Sequence, residues 1–414
     1  MRTLFCGLSK RWGPNATSIG IRSAGASAVL RTLSHRACHR LLPSHPGQSQ
    51  LAPLCCPVLP PQVRSALNPR DFRSSMKLMF LPLSLILLLG AMPLQALADT
   101  ITIMTFNVEN LFDNTHDQGK NDETYLPLTH KTTSRHIEKC RKVRVKTWRD
   151  QCLFWDWNDA VVAQKLKVVG LSIKQVNAGA GPDIIAFQEV ENLGVLERLR
   201  AEHLDGLGYH APVLLEGNDI RGIDVAFLSK LPMRDARLHN INFSRDHKQR
   251  VGDTRPILEV TFDLPGGESL TGFAVHFPAP FHPTSMRESA YAALNQLLAE
   301  LPRDQSVFAA GDFNTTREEN AAKRMLARWV RPLWEVAHDL CEDCPGTSYY
   351  PPKDDWSFLD TILWRAGGNW RMTGSFLANG TSEQMSSTGT PKRFRLPGAT
   401  GVSDHWPLVM VIER

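Results

Sequence analysis

Short apolar runs recur along most of the chain, at 101–106, 184–187, 225–228, 258–264, 270–277, 307–310, 358–364 and 407–412. Their length and their β-branched and aromatic content suit buried strands. Two helical stripes lie between them. One joins Val162, Leu166, Val169, Ile173 and Val176, the other Ala290, Leu294, Leu297 and Leu301, each at the spacing of one helix face. Ser285-Met286-Arg287-Glu288 reads as a capping box opening the second helix. Helices interleaved with strands, and strands also joined directly over 258–277, predict a layered α/β domain with mixed sheets. No linker or repeat interrupts 99–414, which is long enough for one large core and is read as one domain.

The start of the chain follows another pattern. Met76-Lys77 is followed by an apolar run over 78–89 and by Ala96-Leu97-Ala98 ahead of Asp99. A charged start, a short apolar stretch and a small-residue cleavage site make a secretory signal over 76–98, and the stretch is too short to span a bilayer. Residues 1–75 hold ten Lys/Arg and a single acid, Asp71. Because a signal normally begins a protein, Met76 is the expected start and 1–75 a doubtful basic extension, the alternative being a real targeting segment. Cleavage after Ala98 exports the chain to a periplasmic or extracellular compartment, with no integral membrane segment left; a monomer is expected. The first 98 residues hold 11 of the 47 Lys+Arg and one of the 42 Asp+Glu, so the remainder carries a formal net charge of −5. That balance gives no general attraction to polyanions, and any such binding needs a local basic patch.

Four cysteines remain after cleavage, Cys140, Cys152, Cys341 and Cys344. In an oxidising compartment two local disulfides are the simplest outcome; the Cys341/Cys344 spacing also admits zinc or a redox motif, with only His338 nearby as a further ligand. The acid- and amide-rich stretch 113–123 reads as a solvated loop or an oxygen-ligand calcium site without EF-hand spacing. The segment 130–149 carries Lys131, Arg135, Lys139, Arg141, Lys142, Arg144, Lys146 and Arg149. It reads either as a solvated insertion or, with Trp148, Trp155 and Trp157, as the wall of a nucleic-acid groove.

Polar residues stand where the apolar runs end: Asn107 and Glu109, Gln188-Glu189, His276, Asp312 and Asn314, Asp360, and Asp404-His405. Strand ends are where α/β folds place their sites. Singly, each has a bland explanation as a turn residue, a cap or a satisfied core histidine. Six such coincidences together are harder to dismiss than any one of them.

The runs TFNVENLFD, IIAFQEVEN, RGIDVAFLSK, AVHF, GDFNTT, GTSYYPPKDDWSFLDTILW and GVSDHWPLV resemble, in order, the motifs of the endonuclease/exonuclease/phosphatase superfamily. Its members include pancreatic-type deoxyribonuclease, abasic-site endonucleases, neutral sphingomyelinases and inositol polyphosphate phosphatases. RGID is similar to the secreted bacterial-type branch. The resemblance implies a four-layer α/β sandwich, two packed mixed β-sheets flanked by helices, with the site at one edge. It implies a metal-dependent phosphoesterase with Glu189, Asn107 and Asp404 holding Mg²⁺ or Mn²⁺, and Glu109 in support. His405 would take a proton from the attacking water while Asp360 fixes its ring, Asp312 would orient that water, Asn314 would donate to a phosphoryl oxygen, and His276 would donate to another oxygen or assist the leaving group. Arg221 and Asp224 would contact phosphate or scaffold the site, a surface ion pair being the other reading of Arg221. His276 is followed by Phe277-Pro278-Ala279-Pro280 where the family often has a polar or basic residue, which leaves the substrate open. An exported nuclease on DNA or RNA is the expectation; the alternatives are a phosphatase or sphingomyelinase-like lipid phosphodiesterase, and a non-catalytic binding module. Trp356 is read as packing rather than stacking on substrate.

Overall fold

A computed structural model describes residues 99–244, 247 and 252–414. The expected leader, 1–98, lies outside them. In chain order the elements are β1 (Thr100–Leu111), α1 (Ser134–Arg141), α2 (Lys146–Phe154), α3 (Asp159–Ile173), β2 (Ile184–Val190), α4 (Leu193–His203), β3 (Val213–Leu214), β4 (Asp224–Ser229), β5 (Met233–His239), β6 (Ile257–Asp263) and β7 (Ser269–His276). Then come α5 (Thr284–Glu300), β8 (Ser306–Asp312), α6 (Arg317–Lys323), α7 (Met325–Trp329), β9 (Glu335–Val336), β10 (Ser348–Tyr350), β11 (Asp355–Ser357), β12 (Asp360–Arg365), β13 (Arg371–Leu377) and β14 (Leu408–Glu413).

Two six-stranded sheets form, ordered β13-β14-β1-β2-β4-β3 and β5-β6-β7-β8-β12-β9. Each contains one parallel pair, β1 with β2 and β7 with β8, among antiparallel neighbours. The layers follow from period-2 alternation. On β1, Ile101 and Ile103 face the second sheet and pack with Phe227, Phe262, Phe308, Ile362 and Met410. The opposite face, through Met104 and Phe106, packs on α3 and α4 through Val162, Leu166, Val169, Leu196 and Leu199. The outer face of the second sheet, through Phe273, Val307 and Ala309, packs on α5 through Ala290, Tyr291 and Leu294. This is the four-layer α/β sandwich with two mixed sheets.

Each of the eight apolar runs contributes to a strand, and both stripes lie on helices, with Val176 and Leu301 just past the helix ends. The capping box does not form. Pro283 occupies the N-cap position without a side-chain cap, and α5 begins at Thr284; Ser285 already lies inside the first turn and its Oγ is 2.8 Å from His247 Nε2. Glu288 accepts from Arg328 instead, at 3.0 Å. Both disulfides, Cys140–Cys152 and Cys341–Cys344, are formed. No helix among the described residues is long and apolar enough to cross a membrane.

Candidate active site

The alternation that buries Ile103, Ala310, Ile362 and Ala274 between the sheets carries Asn107, Asp312, Asp360 and His276 onto the same inward face at one edge. Left-handed backbone at Glu109 (φ 49°), Asn110 (φ 59°), Glu189 (φ 64°) and Asn314 (φ 52°) bends three strand ends there. At Glu189 this kink coincides with a register shift between Gln188 and Val190, the mark of a bulge that re-aims a side chain. Gly311 is needed on β8 because a Cβ there would lie 1.9 Å from the Val275 carbonyl oxygen of β7.

Two bonds tie the sheets together at this edge. Asn107 Nδ2 donates to Asp312 Oδ2 at 3.2 Å, and His405 Nδ1 lies 2.6 Å from Asp360 Oδ2. Asp312 Oδ1 accepts from the Asn314 N–H at 2.8 Å, and Asn314 Nδ2 donates to Phe277 O at 3.0 Å. Glu189 Oε2 accepts from the Asn110 N–H at 3.0 Å. Ser403 Oγ donates to Asn107 O at 2.7 Å, fixing the turn ahead of His405. His276 is buried, 3.6 Å from Asp312 Oδ2, with Arg255 Nη2 2.8 Å from its ring nitrogens.

These surroundings set the charges. Burial opposes a charged His405 ring, but Asp360, Asp404 and Asp312 outweigh it and hold its pKa well above the ordinary histidine value. Burial, with the Asp360 charge, pushes Asp312 up to about 7. Burial and the neighbouring Arg255 keep His276 neutral, its pKa well below the ordinary value. Burial pulls Asp404 toward the neutral form, yet His405 and Arg393 win and hold it ionised.

A cleft of about 650 Å³ opens over this edge and is lined by Glu189, Asp312, Asn314, Asp404, His405 and His276 among others. Asn107 and Asp360 lie behind its wall. Asp224 also stands outside it: its Oδ1 accepts from the Gly217 N–H at 3.0 Å, a bond that shapes the chain ahead of β4. Arg221 lines the cleft, half-exposed and 3.5 Å from Asp219, so both of its readings have a place.

Several residues have no counterpart in the sequence reading. Arg393 and Arg395, from the segment KRFR, clasp Glu109 Oε1 at 2.5 and 3.1 Å, and Arg393 also reaches Asp404 Oδ2 at 3.1 Å. Lys165 of α3 is fully buried and donates to Glu109 O and Val402 O at 3.1 and 2.6 Å. Arg255 approaches from the loop before β6. The basic segment forms the α1–α2 hairpin, but Thr147, Trp148, Gln151 and Trp155 face the cleft and Arg141, Lys142, Arg144 and Lys146 do not. Lys131 is buried, donating to Thr124 O at 2.8 Å. Trp157 is buried, and Trp356 packs between Tyr349 and Trp406.

Among the described residues, Asp312, Asp360 and His405 are buried and bring ligand atoms within 4.8 Å of one another. Asp360 Oδ1 is buried with no hydrogen-bond partner. An unpartnered carboxylate oxygen beside a second buried carboxylate fits a hard divalent cation and its waters. His136 lies beside Cys140 and Cys152, whose sulfurs are joined to each other as a disulfide. In the acidic loop Asp122 is buried against His116, at 2.5 Å, and accepts from the Asp117 N–H at 2.7 Å, closing the loop on itself.

A truncated TDP2 from Caenorhabditis elegans shares 16% identity with the chain, over 76% of it and 98% of the relative, with a TM-score of 0.46. Family proteins from Bacteroides thetaiotaomicron and Bacteroides vulgatus share 15% and 16%, each over 76% of this chain and 98% and 99% of theirs, with TM-scores of 0.47 for both. No curated relative matches by sequence. The profile of the endonuclease/exonuclease/phosphatase family matches residues 104–405, and the chain belongs to that family.

Proposed function

We propose that this protein is an exported, divalent-metal-dependent nuclease of the secreted bacterial-type branch that hydrolyses phosphodiester bonds in DNA or RNA, with 99–414 as the working domain. The observation that carries the reading is the convergence of the His405–Asp360 pair, at 2.6 Å, with Asp312 and Glu189 on one cleft.

Glu189, Asn107 and Asp404 hold Mg²⁺ or Mn²⁺, which when bound supplies charge stabilisation to the phosphoryl oxygens. Asp360 engages His405 Nδ1 and leaves Nε2 for the cleft; a cation held by the neighbouring carboxylates would offset the charges that raise the ring's pKa and so free Nε2 to take a proton from water. Asp312, fixed by Asn107 and by the Asn314 N–H, orients that water. One Asn314 amide hydrogen is spent on Phe277 O, leaving the other for a phosphoryl oxygen. His276, neutral beside Arg255, serves as a hydrogen-bond donor rather than as a cation. Glu109 is a positioning residue, holding Arg393 and Arg395 at the cleft.

Substrate profiling of the purified protein with Mg²⁺ tests the reading. DNA or RNA is expected to be hydrolysed in preference to sphingomyelin and phosphomonoesters. Turnover of a lipid or a monoester with none of nucleic acid overturns the nuclease assignment.

A further inference from the structure

Two large apolar side chains of the cleft are not used by the core. Trp148 on α2 is 61% exposed and Phe281, in the loop after β7, is 73% exposed, and both line the cleft that holds Glu189 and His405. Leaving such rings in water forgoes the gain of burial, about 25 cal/mol per Å² of apolar surface. Neither ring stands on a slack segment. Trp148 belongs to a helix clasped to α1 by Cys140–Cys152, and His136 Nε2 adds a bond to Cys152 O at 3.0 Å. The loop of Phe281 is held by the buried Arg287, whose Nη1 donates to Pro278 O, Ala279 O and His282 O at 3.1, 2.7 and 3.2 Å. Glu319 accepts from the other edge of that guanidinium, at 2.7 Å from Nε and 2.5 Å from Nη2. Aromatic rings on fixed backbones lose little freedom when a ligand covers them, which suits them as binding anchors.

Three guanidiniums share the cleft. The side chains of Arg221, Arg393 and Arg395 are 44%, 49% and 45% exposed, so each keeps donors for an anion although each also has a carboxylate partner. Flat apolar faces beside several cations match a polyanion whose units carry a π-face. A duplex keeps its base faces inside its own stack, and a lipid headgroup brings one phosphate and no flat ring. A single strand offers both features at every unit. We propose that Trp148 and Phe281 form a base-stacking subsite for single-stranded nucleic acid, with Arg221, Arg393 and Arg395 on its phosphates. This rests on the nuclease reading above and adds to it which form of nucleic acid the cleft selects.

The test compares the wild type with Trp148→Ala, Phe281→Ala and Trp148→Phe on four probes: a single-stranded oligonucleotide, its duplex, an abasic strand of the same length, and phosphatidylcholine–sphingomyelin vesicles. Each alanine variant is expected to raise KM for the single strand at least about fivefold, the lower end of what one base stack contributes. The abasic strand and the duplex should be affected less than twofold, and Trp148→Phe should restore most of the loss. An unchanged KM for the single strand overturns the proposal, as does an equal loss on the abasic strand, which marks a structural defect. Loss of vesicle binding with oligonucleotide kinetics intact overturns it in favour of a lipid surface. If the wild type cleaves nucleic acid and the variants match it, the subsite alone fails; if the wild type cleaves none, the nuclease reading falls and the subsite with it.

Discussion

Lys165 offers the sharpest test of how the site is held together. Its Nζ ties the end of β1, at Glu109 O, to the segment leading to His405, at Val402 O, and burial pushes its pKa from 10.5 down to about 8. A shift of that size means that the charged form costs about 3 kcal/mol at neutral pH. The folded protein releases this proton before the unfolded chain does. The cost is therefore carried in full below pH 8 and is relieved as pH climbs toward the unfolded value, by about 2 kcal/mol between pH 7 and 9.5. Lys165→Met keeps the apolar stem and removes the charge, but leaves two buried carbonyls unsatisfied at about 1–3 kcal/mol each. At pH 7 relief and loss nearly cancel. At pH 9.5 the wild type has gained its relief and the variant has not, so the difference in urea unfolding free energy should widen by about 2 kcal/mol. In the folded variant kcat should fall at least about tenfold, because the two site segments lose their common anchor. A stability difference that is equal at both pH values refutes the buried ammonium. Wild-type kcat in a folded variant refutes its positioning role.

Chelation by EDTA should abolish turnover and Mg²⁺ or Mn²⁺ restore it; full activity after exhaustive dialysis against EDTA contradicts the metal assignment. His405→Ala and Asp312→Asn should each lower kcat at least about a hundredfold with an unchanged circular dichroism spectrum, and a folded variant near the wild-type rate removes that residue from the mechanism. Glu191, which accepts from the Asp113 N–H at 2.7 Å, is pushed up to about 9 by burial and by Asp113. It is protonated at neutral pH, so Glu191→Gln should leave the Tm at pH 7 unchanged or higher, and a drop of several degrees shows that the carboxylate is charged. Intact mass of the exported protein should give Asp99 as the first residue and four paired cysteines; recovery of residues 1–75 or of free thiols counts against the leader or the disulfides respectively.

The strands were legible because inward and outward residues alternate or run unbroken through a doubly covered sheet. β5 was not, since Met233–His239 is an edge strand with mostly exposed charged and polar side chains, and an edge needs little apolar surface. β13 hid for the same reason, its Arg371 and Phe376 being exposed. Site residues at strand ends, and Arg221 in RGID, could be found from their motifs, whereas Arg255, Arg393 and Arg395 could not. Arg393 and Arg395 reach Glu109 across 284 and 286 residues of sequence, a separation at which no local pattern survives. The left-handed turn at Glu189 was equally silent, because glutamate carries no preference for that backbone and only the surrounding sheet enforces it. Lys165 sits within an apolar helical stripe, where a lone lysine reads as a solvated position. Its burial becomes intelligible only once the two carbonyls it bridges are known.

The site draws Asn107 and Glu189 from one sheet, His405 from the segment leading into that sheet's β14, and His276, Asp312 and Asp360 from the other sheet. Turnover is then a gauge of sheet registration rather than of either half alone. The polar ties at the edge, Asn107 to Asp312 and His405 to Asp360, are short and directional, while the layer behind them, with Phe227, Phe262 and Phe308 in mutual contact, is held mainly by apolar burial, which has no preferred direction. A slide of about one ångström along the layer keeps its apolar surface from water but stretches both ties past bonding distance. Gentle urea, pressure or a trimmed phenylalanine should therefore silence the protein while its spectrum and compactness still read as native, and activity lost in this way should return as soon as the sheets realign.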